Sequence, residues 1–174
     1  MATTNNMKRE ASDAAGNTTK RFNTITVLVG VDEEAFTIHE SLICDRSDFF
    51  KAACSGEWKE SQTRTVRLPP STTPAHFQIY LDWLYSQRQQ SLTELLEVLL
   101  QEEGVSDADD VMALQVLEGL CELWMLGDYL LDVTFKDRAI GNIVAHELPT
   151  RCLILPDTIQ KVINNTRKDS GLQL

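Results

Sequence analysis

The side chains best suited to nucleophilic or metal chemistry are three histidines and four cysteines. His39 stands five residues before Cys44, with Asp45 and Asp48 close by. A cysteine–histidine pair could attack a carbonyl if the thiolate lay beside the imidazole in a cleft. The local pattern instead places His39 at a strand-to-helix junction, where a histidine held in the structure is the simpler reading. His76, in the first turn of a helix, and His146, near the end of another, read as surface residues. Cys44, Cys54, Cys121 and Cys152 form no CxxC pair and match neither a zinc knuckle nor a disulfide framework. They read as buried free thiols of a reducing compartment. The sequence holds no GxSxG, HExxH, P-loop or GxGxxG pattern. The expectation is a non-enzyme that needs no cofactor and no metal.

Charge narrows the partners. The net charge is −10, from 26 acids and 16 bases. From Gln89 to Phe135 there is no lysine or arginine, while eleven acids fall there, from Glu94 to Asp132. The rest of the chain is nearly balanced. Direct nucleic-acid binding is disfavoured, because phosphate recognition needs a basic footprint. The acidic stretch reads either as a solvated face or as a surface for a basic partner. The N-terminus MATTNNMKRE has no apolar core for a signal peptide, and no apolar run approaches the 18 or so residues of a membrane span. The expected setting is cytoplasmic or nuclear.

The elements that would position these residues follow from the periodicities. A chain of 174 residues suits one domain that can bury roughly 70% of its unfolded surface. Residues 1–21 are polar and aperiodic and read as a disordered lead-in. Ile25–Val29, closed by Gly30, predicts a strand, and Ala35–Ile38 its hairpin partner after a turn at Asp32-Glu33. Ser41–Cys44 reads as a short helix. Ser47 would cap a second helix ending at Gly56. Thr63–Leu68 alternates as a third strand before Pro69-Pro70. Thr73 and Pro74 then start an amphipathic helix whose inner face is Phe77, Tyr80, Leu81 and Leu84, with Trp83 and Tyr85 on its flanks. Ser91 and Glu94 suggest a capping box ahead of a leucine stripe at 92, 95, 96, 99 and 100, closed by Gly104. A helix from about Asp109 to Leu126 follows, with Leu114, Leu117, Cys121 and Trp124 inward and Gly127-Asp128 as its stop. Phe135, Ala139, Ile140, Ile143 and Val144 mark another helix before Pro149, and Asp157–Thr166 one more. Strands early and helices late argue an α+β fold.

Taken together, these elements resemble the BTB/POZ family, notably the short members of filamentous fungi. The strand 25–30 is followed by Phe36, His39, Leu42, Ser47, Phe49 and Phe50, which is similar to the family's F-x-x-H, L, S-x-F-F run. Gly56–Ser61 leads into Val66-Arg67-Leu68 as in the family's loop and strand. Phe77, Tyr80-Leu81, Trp83, Leu84 and Tyr85 look like its F-x-x-Y-L-x-W-L-Y helix, and Leu123–Ile143 like its closing helix pair. The resemblance covers about residues 22–170 and implies that Phe36, His39, Leu42, Ser47, Phe49, Phe50, Phe77, Leu81, Trp83 and Tyr85 belong to the family's core. There are departures: Asn23-Thr24 stands for the usual Asp, Glu40 for a basic residue, and no Gly follows Tyr85. It implies a BTB/POZ domain at 22–148 with an acidic insertion at about 89–110, and a truncated helical extension at 149–174.

What the resemblance implies about function is protein–protein interaction. The narrower expectation is a substrate adaptor for a cullin 3 ubiquitin ligase. The alternative is a self-associating scaffold or dimerisation domain of a transcriptional regulator. The residues expected to meet a partner are Trp58, Tyr85, Leu92, Leu95, Leu96 and Leu99. Trp58 lies in a polar loop, where it either anchors an interface or folds back over a helix end. The leucine stripe either packs on the domain or docks a partner helix.

Overall fold

The computed structural model describes residues 23–55, 63–86, 90–104 and 109–145. The readings made for the lead-in 1–21, for Gly56, Trp58, His146 and Cys152, and for the extension 149–174 lie outside them. The chain divides into two units, Met1–Pro69 and Pro70–Leu174.

The first unit is a small sheet with a helical pair. Strand β1 (Thr24–Val29) pairs antiparallel with β2 (Glu34–His39), in register from Thr24 opposite His39 to Val29 opposite Glu34. Gly30, with φ 78°, opens the turn, a conformation open to glycine without a Cβ clash. Strand β3 (Thr65–Arg67) pairs parallel with β1, so the order is β2-β1-β3 in a mixed sheet. Burial alternates along the central strand. Ile25, Val27 and Val29 are buried, and Thr26 and Leu28 between them are half-buried.

A parallel pair needs a crossover connection, and helices α1 (Glu40–Arg46) and α2 (Asp48–Ser55) lie between β2 and β3 in the chain. Ser47 is their joint. Its amide donates to the Ile43 carbonyl at 2.9 Å, closing α1, and its hydroxyl accepts from the Phe50 amide at 3.2 Å, starting α2. The residue is fully buried, which suits a side chain whose polar groups are spent on the backbone. Ile43 and Phe50 complete the apolar interior of this unit.

The second unit contains four described helices: α3 (Pro74–Tyr85), α4 (Leu92–Glu102), α5 (Asp109–Leu130) and α6 (Val133–Ala145). Thr73 caps α3, its side chain accepting from the His76 amide at 3.2 Å, with Pro74 at the first helical position. The burial of α3 is wider than a single stripe, and Trp83, expected on a flank, is fully buried. Its ring lies 4.8 Å from that of Phe135 on α6, and the Tyr80 ring is 4.9 Å from Phe135 in an edge-on arrangement.

Helix α5 runs past the Gly127-Asp128 stop expected for it. Gly127 serves packing instead: a Cβ there would lie 3.1 Å from the Lys136 amide nitrogen and 3.1 Å from the Phe135 ring. The helix ends at Leu130, four residues beyond the expected Leu126. The Asp132 amide donates to the Gly127 carbonyl at 3.0 Å and the Leu131 amide to the Asp128 carbonyl at 3.3 Å, with Leu131 at φ 55°. That is the Schellman pattern with leucine where glycine is usual, so periodicity alone gave no stop signal.

Asp132 then starts α6. One carboxylate oxygen accepts from the Phe135 amide at 3.0 Å, and the other accepts from the Tyr80 hydroxyl at 3.2 Å. The side chain is almost fully enclosed. Replacing Asp132 by alanine removes a helix cap and a charge-assisted hydrogen bond, and is expected to cost about 2–3 kcal/mol. Urea unfolding of the variant against the wild type checks this. Asp132→Asn, which keeps the cap acceptor, is expected to cost less.

Candidate interaction surface

Helix α4 belongs to the stretch that looked inserted, and the structure ties it down. Leu92 and Leu96 are buried at 0% and 1% exposure. Gly119 on α5 makes room for the second of these: a Cβ there would fall 2.6 Å from Leu96 Cδ2. At the N-terminal end, the hydroxyls of Ser91 and Thr93 donate to Asn142 Oδ1 at 3.3 and 3.0 Å, and Asn142 Nδ2 donates to the Arg138 carbonyl at 2.8 Å. The expected Ser91–Glu94 capping box is therefore corrected: the Ser91 hydroxyl makes no cap bond and reaches α6 instead. Leu92 and Leu96 are likewise corrected as docking residues, because their side chains form the inner face of α4. Leu95 and Leu99 are half-buried and still reachable.

Alongside α4 lies an open cleft with a volume of ≈ 280 Å³. Leu96, Leu99 and Leu100 supply hydrocarbon, and Glu103, Glu118 and Glu122 supply carboxylates. His76, read from sequence as a surface residue, is half-buried here. Its Nδ1 lies 3.0 Å from Glu122 Oε2 and 2.8 Å from Thr73 Oγ1. Gln115 also lines the cleft, and its Oε1 is enclosed with no hydrogen-bond partner among the described residues. The helical spacing of Glu118 and Glu122 was visible in sequence, but nothing there linked them to His76 or to the outer side of the leucine stripe.

The remaining partner candidates separate. Tyr85, at the end of α3, is 46% exposed, while the rest of that helix's aromatics are buried. Trp58 lies outside the described residues. Among the described residues, no group of three or more His, Cys, Asp or Glu could hold a metal ion, and no helix is long and apolar enough to cross a membrane.

The order of strands and helices, the Ser47 joint and the aromatic α3 agree with one family. The BTB/POZ domain family model matches residues 17–113, more than half of the chain. The chain belongs to the BTB/POZ family. No curated protein matches it closely enough to stand as a relative. Proteins of the BTB/POZ family mediate protein–protein interaction and are generally not enzymes.

Within this BTB/POZ domain the signature residues fall into two groups. Ser47, Phe50, Phe77, Leu81 and Trp83 are buried. Phe36, Leu42 and Phe49 are half-buried, and His39 and Tyr85 are exposed. His39 and Tyr85 are therefore corrected as core residues. Strand alternation explains the first, since Ile38 takes the inward position and turns its neighbour outward. Tyr85 closes its helix, beyond the last buried turn.

Among the described residues the thiols carry no sign of nucleophilic activation. Cys44 and Cys54, on α1 and α2, are half-buried and hydrogen-bonded to one another. Burial pushes the Cys44 thiol up to about 12 from 9.0, with the Cys54 contact and the Glu40 charge adding to it. Cys54 is also raised, chiefly by burial. An activated cysteine shows the opposite shift. Aromatic disulfide reagents at neutral pH should therefore modify Cys44 more than about tenfold slower in the folded chain than in urea, because the thiolate reacts. The linkage has a definite sign. Folding favours the neutral thiol, so this contribution is whole below pH 9 and is lost as pH rises from 9 toward about 12. Chemical denaturation across that range, compared with a Cys44→Ser variant, reads it directly.

Proposed function

We propose that this BTB/POZ domain is a non-catalytic docking adaptor that links a substrate to a cullin 3 ubiquitin ligase. Membership in a family of interaction modules supports the docking role. The single observation that points to a cullin-type contact is Tyr85. It is exposed at the end of a helix in which Phe77, Tyr80 and Trp83 are buried, just before the loop where the family's cullin contacts are expected. Exposed aromatics of this kind anchor interfaces. A cytoplasmic or nuclear setting belongs to the same reading.

The test is light scattering of the chain alone and mixed with a cullin 3 N-terminal domain. A one-to-one heterocomplex that Tyr85→Ala weakens about tenfold, or roughly 1.4 kcal/mol, is the expected result. Failure to form a complex at micromolar concentrations overturns the adaptor reading.

A second reading, a self-associating scaffold within a transcriptional regulator, is favoured by β2. Among the described residues this six-residue strand is an outer strand of the sheet, and an outer strand is the kind of edge on which a strand from a second copy can pair. A homodimer without a cullin complex would move the weight to that reading.

A further inference from the structure

The cleft beside α4 combines two chemistries that seldom share a solvated surface. Leu96, Leu99 and Leu100 line it with hydrocarbon, and Glu103, Glu118 and Glu122 border it with carboxylates. No lysine or arginine occurs from Gln89 to Phe135, so α4 and α5 carry no basic side chain, and among the lining residues His76 of α3 lies 3.0 Å from Glu122. Cys121, next along α5, reflects the local field. Burial raises its thiol, and the charges of Glu118 and Glu122 raise it further. The enclosed Gln115 Oε1 adds a hydrogen-bond acceptor without a donor among the described residues.

The size selects the kind of guest. A volume of ≈ 280 Å³ lies just below the roughly 300 Å³ at which small-molecule pockets begin. The opening suits side chains presented by a polypeptide. It exposes side chains and no strand edge, so the matching element is a helix. The carboxylates exclude acidic ligands and nucleic acid and favour a cationic guest. Lysine and arginine combine a hydrocarbon stem with a charged head, and arginine can grip a carboxylate through two parallel hydrogen bonds.

We propose that this cleft docks a basic amphipathic helix from a protein partner. A lysine or arginine stem lies on Leu99 and Leu100, and its head meets Glu103, Glu118 and Glu122. The site is separate from the Tyr85 surface and does not depend on cullin binding.

The probe is a fluorescein-labelled synthetic peptide of about eighteen residues, long enough to hold a helix. It carries leucine on one face and arginine on the flanks, and it is titrated by anisotropy against the full chain. Saturable binding is expected. The triple variant Glu103→Gln, Glu118→Gln, Glu122→Gln should weaken it at least tenfold and flatten its salt dependence. A control with the same charge change at exposed positions, Asp32→Asn, Glu34→Gln, Glu94→Gln, should leave it unchanged. Leu99→Asn should weaken it without altering net charge. Thermal melts establish that each variant is folded.

Equal loss in both triple variants would reduce the effect to general attraction by an acidic chain and overturn the proposal. So would the absence of saturable binding up to about 1 mM. A gain in peptide affinity on replacing Lys161, Arg167 and Lys168 by glutamine that the same charge change at exposed Lys51, Arg67 and Arg138 does not reproduce would assign the cleft to the chain's own C-terminal segment and overturn the partner assignment. A chain that binds cullin and ignores the peptide loses this proposal alone, and the reverse outcome loses only the adaptor reading.

Discussion

Truncating Phe135 to alanine is expected to destabilise the second unit by about 3–5 kcal/mol, a large part of the 5–15 kcal/mol that holds a typical domain together. The ring is fully buried and touches both Tyr80 and Trp83 of α3, at centroid separations of 4.9 and 4.8 Å. Its amide also receives the Asp132 cap. Losing the ring removes transfer energy and leaves a cavity between aromatic neighbours that cannot collapse without leaving their rotamers. It also removes the edge-on contact with Tyr80, and such aromatic pairs contribute about 0.5–1.5 kcal/mol beyond area. Urea titration followed by tryptophan fluorescence would measure it. A loss below about 1 kcal/mol would mean that Phe135 is not the packing centre described here. Phe135→Leu, which keeps most of the volume, should recover more than half of the loss.

The second large effect is expected at Leu96. Leu96→Ala should cost about 2–5 kcal/mol. It should also act locally, because Leu96 and Leu92 are the side chains that α4 buries. Amide exchange should quicken along Leu92–Glu102 while α5 keeps its protection, as expected when one helix opens without global unfolding. Val98, on the same helix but 55% exposed, should tolerate serine with a change within about 0.5 kcal/mol. If Leu96→Ala and Val98→Ser had equal effects, α4 would not be seated on α5 in the way the structure shows. Gly119→Ala offers a complementary measurement. Its added methyl enters space held by the Leu96 side chain, which would have to swing aside.

Much of the fold was legible because local signals agreed. A β-branched run closed by Gly30 marked β1, alternation marked β2 and β3, and Thr73-Pro74 and Ser47 marked helix starts that the hydrogen bonds bear out. The α+β class followed from that order. What was missed depended on distant partners. Gly127 looks like punctuation in sequence, yet a backbone nine residues away passes against it. Ser91 looks like a cap, yet Asn142 draws its hydroxyl to another helix. The leucine stripe was correctly seen as one face of a helix, but periodicity cannot say whether that face meets the same chain or a partner. Burial divides it, with Leu92 and Leu96 inside and Leu95 and Leu99 at the margin. His76 joined Glu122 only once α3 and α5 were placed side by side.

The absence of lysine from α4 and α5 also bears on how this surface can be labelled and modified. Ubiquitin is attached through lysine amines, so neither helix can be its acceptor, and a ligase that used this chain as a handle would leave the acidic cleft untouched. Amine-reactive cross-linkers are blind to the same helices, and trypsin releases Gln89 through Lys136 as one piece. A partner seated there would be found instead by coupling its lysines to the carboxylates of Glu103, Glu118 or Glu122.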